Sequence, residues 1–143
     1  MRYEKATPGT CRARDRLAGR ARNTLAAAGL PLMSGDLELA LGAGAEVEVD
    51  YGADAAGGVY ATWRLHPQLA RAAAFAVSAE DADDAHPALL FSGTVAVAMA
   101  RAIGTILTAA GFAVEEADGE YRPFTLRITG GPPNGPAPWS DPD

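Results

Sequence analysis

Few side chains in this chain could carry chemistry, and their spacing decides most of the cases. His66 and His86 are the only histidines, and each stands directly before a proline. Imidazole gains and loses a proton near neutral pH and is the commonest metal ligand. A metal site would need further ligands at a recognisable spacing such as H-x-x-x-H, and none occurs. His66-Pro67 and His86-Pro87 therefore read as element boundaries. Glu115-Glu116, Asp118 and Glu120 bracket a turn, but neighbours on a strand point to opposite faces, so the first two form no dyad. Asp81, Asp83 and Asp84 lack the glycine and glutamate positions of a calcium loop.

Nucleophiles fare no better. Ser34-Gly35 and Ser92-Gly93 lack the G-x-S-x-G context of a hydrolase elbow, and Gly42-x-Gly44 has no third glycine for a dinucleotide loop. Cys11 is the only cysteine, so no intrachain disulfide or cysteine cage can form. It reads as a spare thiol on a mobile arm. No catalytic residue, metal ligand or cofactor is assigned.

Two sets of residues could bind rather than react. Trp63, Arg64, Arg101 and Tyr121 combine guanidinium forks with aromatic faces, groups that recognise anionic or planar ligands. Arg16, Arg20 and Trp139 form the second set, suited to protein contacts. Trp139 stands among Pro136, Pro138 and Pro142, where an indole has no core of its own to enter. A polyproline-like segment loses little entropy on docking, and a tryptophan can anchor a small interface.

Charge is unevenly placed along the chain. Residues 1–30 hold seven Arg or Lys against two acids, a net of +5, and residues 31–143 hold five Arg against sixteen acids, a net of −11. So acidic a body repels phosphate, so no nucleic-acid partner is expected, and the basic arm is expected to meet acidic surface of its own kind. Lys5 is the only lysine beside eleven arginines, and alanine is abundant, the mark of a GC-rich bacterial genome. The charged N-terminal region has no apolar signal core, which points to a cytoplasmic protein.

The elements that must position these residues follow from periodicity. Cys11 to Ala28 suggests a basic amphipathic helix with Leu17, Ala21, Leu25 and Ala28 on its apolar stripe and Gly29 as its stop. Leu37, Leu39 and Leu41 alternate with wetter positions, as do Val47, Val49 and Tyr51; Gly42-Ala43-Gly44 between them is a hairpin or a bend in one strand. Val59, Ala61, Trp63 and Leu65 form a strand. Residues 67–77 fit a short helix through Leu69, Ala72, Phe75 and Ala76, or a strand. Pro87 to Gly111 predicts the longest helix, striped by Val95, Met99, Ile103, Ile106 and Ala110, with Thr94, Arg101, Thr105 and Thr108 on another face. It is long enough to span a bilayer, but Arg101 near its middle argues for a core helix and against a membrane. Phe112 and Val114 open a strand, Asp118-Gly119 marks a hairpin, and Phe124, Leu126 and Ile128 face one way on the return.

The expected fold is α+β: an antiparallel sheet of four to five strands packed on one long central helix, with the basic helix at the N-terminus. Residues 1–10 are expected to be a flexible lead-in, 11–129 a single domain, and 130–143 a disordered Pro/Gly-rich tail. In element order, residues 12–129 are similar to the small secretion-chaperone-like domains, a similarity that rests on no diagnostic residue. Function is expected to be non-catalytic: a binding or adaptor module acting through protein contacts as a homodimer. The alternative is a small-molecule binder or enzyme with a pocket near Arg101, Trp63 and Tyr121.

Overall fold

The computed structural model describes residues 4–33, 42–78, 86–117, 124–132 and 137–139. Helix α1 spans Pro8–Ala27 and starts earlier than its periodicity suggests. Thr7 caps it by accepting from the Thr10 amide at 3.2 Å, and Pro8 fills a first-turn position that needs no amide proton. Residues of the lead-in pair with the chain after the first strand: the Ala6 amide donates to Tyr51 O and the Ala53 amide to Glu4 O, both within 2.8 Å. Cys11 is correspondingly not on a mobile arm. It is buried in the first turns of α1, its thiol 3.6 Å from Ala6 O.

Strand β1 is Gly44–Asp50 and β2 is Gly58–Arg64. Helix α2 follows at Pro67–Ser78, resolving the choice for that segment in favour of a helix. Helix α3 runs Pro87–Ala109, and β3 (Ala113–Glu116) and β4 (Leu126–Gly130) complete the fold. Both histidines cap these helices through Nδ1, His66 accepting from the Gln68 amide and His86 from the Ala88 amide at 3.1 Å. Glycines at positive φ, Gly29 at 97° and Gly111 at 98°, turn the chain out of α1 and α3 at the expected places. The strand proposed at Leu37–Leu41 and the Asp118-Gly119 turn lie outside the described residues.

The four strands form one antiparallel sheet in the order β1-β2-β4-β3. One face carries Ala45, Val47, Val59, Ala61 and Ile128 into a core shared with Ala18, Ala21 and Leu25 of α1 and Ile103, Leu107 and Ala110 of α3. Leu25, Ile103 and Leu107 are fully buried, each worth about 1.5–3 kcal/mol of transfer free energy. The opposite face bears Glu46, Glu48, Thr62, Arg64 and Arg127 around a buried Tyr60, whose hydroxyl donates to Ala56 O at 2.6 Å.

The expectation of a single central helix is corrected. At 23 residues α3 is about 35 Å long, whereas four strands span roughly 15–20 Å across. Only its C-terminal third, with Ile103 and Leu107, enters the core; Leu90, Phe91 and Val97 stay exposed. The alanine-rich stripe of α1 covers the rest, since Ala18 and Ala21 let the helix approach the sheet closely.

Candidate binding cleft at the open edge of the sheet

The register determines which backbone groups each outer strand leaves unpaired. In β1, Glu46 and Glu48 sit opposite Thr62 and Tyr60 of β2, and the intervening residues turn their amides and carbonyls outward. Three of those groups are taken up, as are two carbonyls at the end of the strand. Ala45 N donates to Pro31 O and Ala45 O accepts from Met33 N, both at 2.8 Å. Arg22 Nη2 donates to Val47 O at 2.7 Å, and Arg14 Nη1 reaches Asp50 O at 2.7 Å and Gly52 O at 2.9 Å. Tyr51 Oη donates to Asp15 at 2.5 Å, and that hydrogen bond, with some burial and the carboxylate's charge, raises the phenol's pKa. The basic face of α1 thus seals the β1 edge.

Strand β3 is finished differently. The Ala117 amide donates to Thr125 O at 2.9 Å, and Glu115 pairs with Arg127, so alternation turns the amides and carbonyls of Val114 and Glu116 away from the sheet. Glu115 and Glu116 are exposed, and among the described residues neither makes an ion pair.

A cleft of about 970 Å³ opens between this edge and α3. Its helix wall is Val97, Ala100, Arg101, Gly104, Thr105 and Thr108, which recur at steps of three and four and so share one face. Val114 and Glu116 of β3 and Leu126 of β4 line the other side. Gly104 permits the close approach of helix to sheet: a Cβ there would meet Leu126 Cδ1 at 3.3 Å. Phe124 joins the rim with a φ of 59°, a left-handed backbone that costs a bulky residue about 1–3 kcal/mol. The lining combines apolar surface, one guanidinium, one carboxylate and outward backbone groups. Such a surface can hold a chain or a ligand. Among the described residues no group of three or more His, Cys, Asp or Glu could hold a metal ion.

The residues singled out from sequence are separated. Arg101 lines the cleft, but Trp63 and Arg64 lie on a second depression of about 530 Å³ with Thr62, Leu65, Pro67 and Arg71. Arg64 Nε is also held by Glu46 Oε2 at 2.8 Å. Tyr121 lies outside the described residues. Of the second set, Arg16 is exposed on α1, while Arg20 Nη2 donates to Pro132 O at 2.8 Å and its guanidinium lies 6.0 Å from the Phe112 ring. Trp139 Nε1 lies 3.4 Å from Oγ1 of buried Thr24, which brings the indole against α1 of its own chain. Val114 and Gly104 were not singled out, and Glu116 was considered as half of a carboxylate pair and set aside. Their importance depends on β3 being an outer strand, which pairing between distant segments decides. The Arg101, Thr105, Thr108 face was the one visible signal.

A scan against protein-family models finds no match for this chain, and neither the curated proteins nor the solved structures yield one. The functional reading therefore rests on the cleft itself.

Proposed function

We propose that this chain is a non-catalytic binding module that takes an extended segment of a partner protein into the cleft as a fifth strand beside β3. The observation that carries this reading is an outer strand whose outward backbone groups meet no partner among the described residues, beside an apolar cleft walled by α3. Strand addition uses those groups for affinity and the pockets beneath alternate side chains for specificity. Glu115 and Glu116 set the chemistry of the occupant: a segment in which apolar residues alternate with basic ones. The adaptor role expected from the sequence fits this mode.

A random-peptide library displayed on phage tests it. The wild-type protein is expected to enrich alternating apolar and basic sequences, and a bound peptide to slow amide exchange at Val114 and Glu116. Glu116→Pro removes one outward donor without touching the β3–β4 ladder, as an edge position allows, and is expected to abolish the binding. Equal retention by the variant, or protection elsewhere, overturns the reading.

A second reading is supported by Arg101, a guanidinium on the wall of a cleft whose size matches small-molecule sites of about 300–1,000 Å³. A small anionic ligand held there would be lost in Arg101→Ala and indifferent to Glu116→Pro, the reverse of the outcome for strand addition.

A further inference from the structure

Arg101 stands toward one end of the cleft, and the register fixes which end. A Cβ on Gly104 would meet Leu126 Cδ1, and Leu126 is the register partner of Glu116, the last residue of β3. Arg101 comes three residues earlier on α3, about 4.5 Å further along the helix. The chain turns from α3 into β3 at Gly111, so the two pass along the cleft in opposite directions. The guanidinium therefore belongs to the C-terminal end of β3, away from Thr108 and Val114. Arg101 is the only charged residue of α3, is exposed, and makes no hydrogen bond or ion pair among the described residues. Beyond it along the helix only Ala100 and Val97 line the cleft, so this wall offers no further polar side chain to a continuing backbone.

We infer that the segment taken up beside β3 is the free C-terminal end of a partner chain, running parallel to β3 with its terminal carboxylate held by Arg101, an inference that rests on strand addition as the mode of binding. A guanidinium presents its donors as a planar fork that matches a carboxylate bidentately. Acidic side chains along the added strand would lie beside Glu115 and Glu116 and are disfavoured, whereas a terminal carboxylate lies past them. Basic side chains of the same strand meet those two glutamates. A strand antiparallel to β3 would turn its N-terminal end, an amine where the chain is free, toward the guanidinium. A second copy does not fit this edge through its own β3, because two such strands would set Glu115 and Glu116 against like charge.

Two short fluorescein-labelled peptides of alternating valine and lysine, one ending in a free carboxylate and the other in an amide, test this by fluorescence anisotropy on the full chain. The acid is expected to bind wild type at least about tenfold more tightly than the amide. The chain's net charge of −6 favours the amide, so a preference for the acid measures a local cation. In Arg101→Gln, an exposed substitution, the two are expected to bind alike, at the affinity of the amide for wild type. The amide is indifferent to Arg101, as is a peptide joined to a phage coat protein through its C-terminus, and Glu116→Pro is expected to abolish binding of all of them. Equal binding of acid and amide by wild type overturns the inference and leaves strand addition in place, as does an acid preference that persists in Arg101→Gln. Failure of wild type to bind either peptide, or retention of both by Glu116→Pro, overturns strand addition and the inference with it. An acid that needs Arg101 but binds Glu116→Pro as it binds wild type overturns both and assigns the cleft to small anions.

Discussion

The two outer strands of the sheet end in opposite ways. β1 has seven residues, and its outward groups meet the Pro31–Met33 segment and two arginines of α1. β3 has four residues, two of them glutamates, and faces a cleft. An unpaired edge is a template for another chain, and proteins cover it, charge it or use it. Here the long edge is covered and the short one is charged and left beside a binding-sized space. The difference teaches that two arginines of α1, Arg14 and Arg22, act as closures of the β1 edge, which gives part of the basic helix a structural role within its own chain.

The largest expected effect lies beneath both edges. Ile103→Asp would place an unpaired charge where α3 meets the sheet, and the protein is expected to unfold, with a loss beyond about 4 kcal/mol. Circular-dichroism melts of wild type and variant check it. An unchanged midpoint would mean that the C-terminal third of α3 does not cover the sheet.

Glycines separate the two edges next. At the sealed edge, a Cβ on Gly57 would lie 2.1 Å from Gly52 O and 2.7 Å from Arg14 Nη1, so Gly57→Ala must displace the backbone or the arginine. A destabilisation of about 2–3 kcal/mol is expected, as for an overpacked site. At the open edge, Gly104→Ala meets only the flexible end of Leu126 and gains helix propensity, so a change between neutral and about 1 kcal/mol stabilising is expected. Denaturant melts of the pair give the contrast, and similar losses in both would break it.

The arginines give a finer test. Arg14→Ala removes a charged donor from two carbonyls of the sealed edge, for an expected loss of about 1–2 kcal/mol, while Arg16→Ala on the exposed side of α1 should stay within about 0.5 kcal/mol. Equal effects, measured by urea unfolding, would mean that the edge closures contribute nothing beyond the net charge of the helix.

The elements were legible in the sequence wherever a pattern was local. Alternation through Val59, Ala61 and Trp63 marked β2, and Pro87 and Gly111 marked the ends of the α3 region. Faces were less legible where a helix is apolar all round. The sequence stripe included Ile106, but Leu107, one turn after Ile103, is the residue that is fully buried, and Phe75 faces solvent while Ala73 and Ala76 turn inward. A uniformly apolar surface does not select its own buried side. The cleft was illegible for a different reason. β4 inserts between β2 and β3, a pairing between residues about 70 positions apart in sequence, and only that pairing makes β3 an edge. Arg101 could be noticed as the lone charge of its helix, but not that Trp63 and Arg64 would lie in another depression.

The smallest expected effect concerns the carboxylates of the two outer strands. Burial pushes the Glu46 carboxyl up, but its hydrogen bonds with Glu48 and Arg64 and the charge of Arg64 together outweigh that, and its pKa lies below the usual value. A carboxyl whose pKa is depressed by folding stabilises the protein above its unfolded pKa, near 4.3, and that contribution is lost as pH falls through the lower folded value. Because the Arg64 side chain is 45% exposed, solvent screens the pair, and the stabilisation is expected to stay below about 1 kcal/mol. Glu46→Gln should therefore lower the melting midpoint slightly at pH 7 and change it less below pH about 4, flattening the acid limb of the stability profile. Glu115→Gln on the open edge, where no ion pair among the described residues holds the carboxylate, should leave the melting midpoint at pH 7 as it is in wild type. Thermal melts of the three proteins between pH about 3 and 7 measure the difference. A lowered midpoint at pH 7 in Glu115→Gln would show that the open edge has an electrostatic partner after all, and with it some of the closure seen at β1.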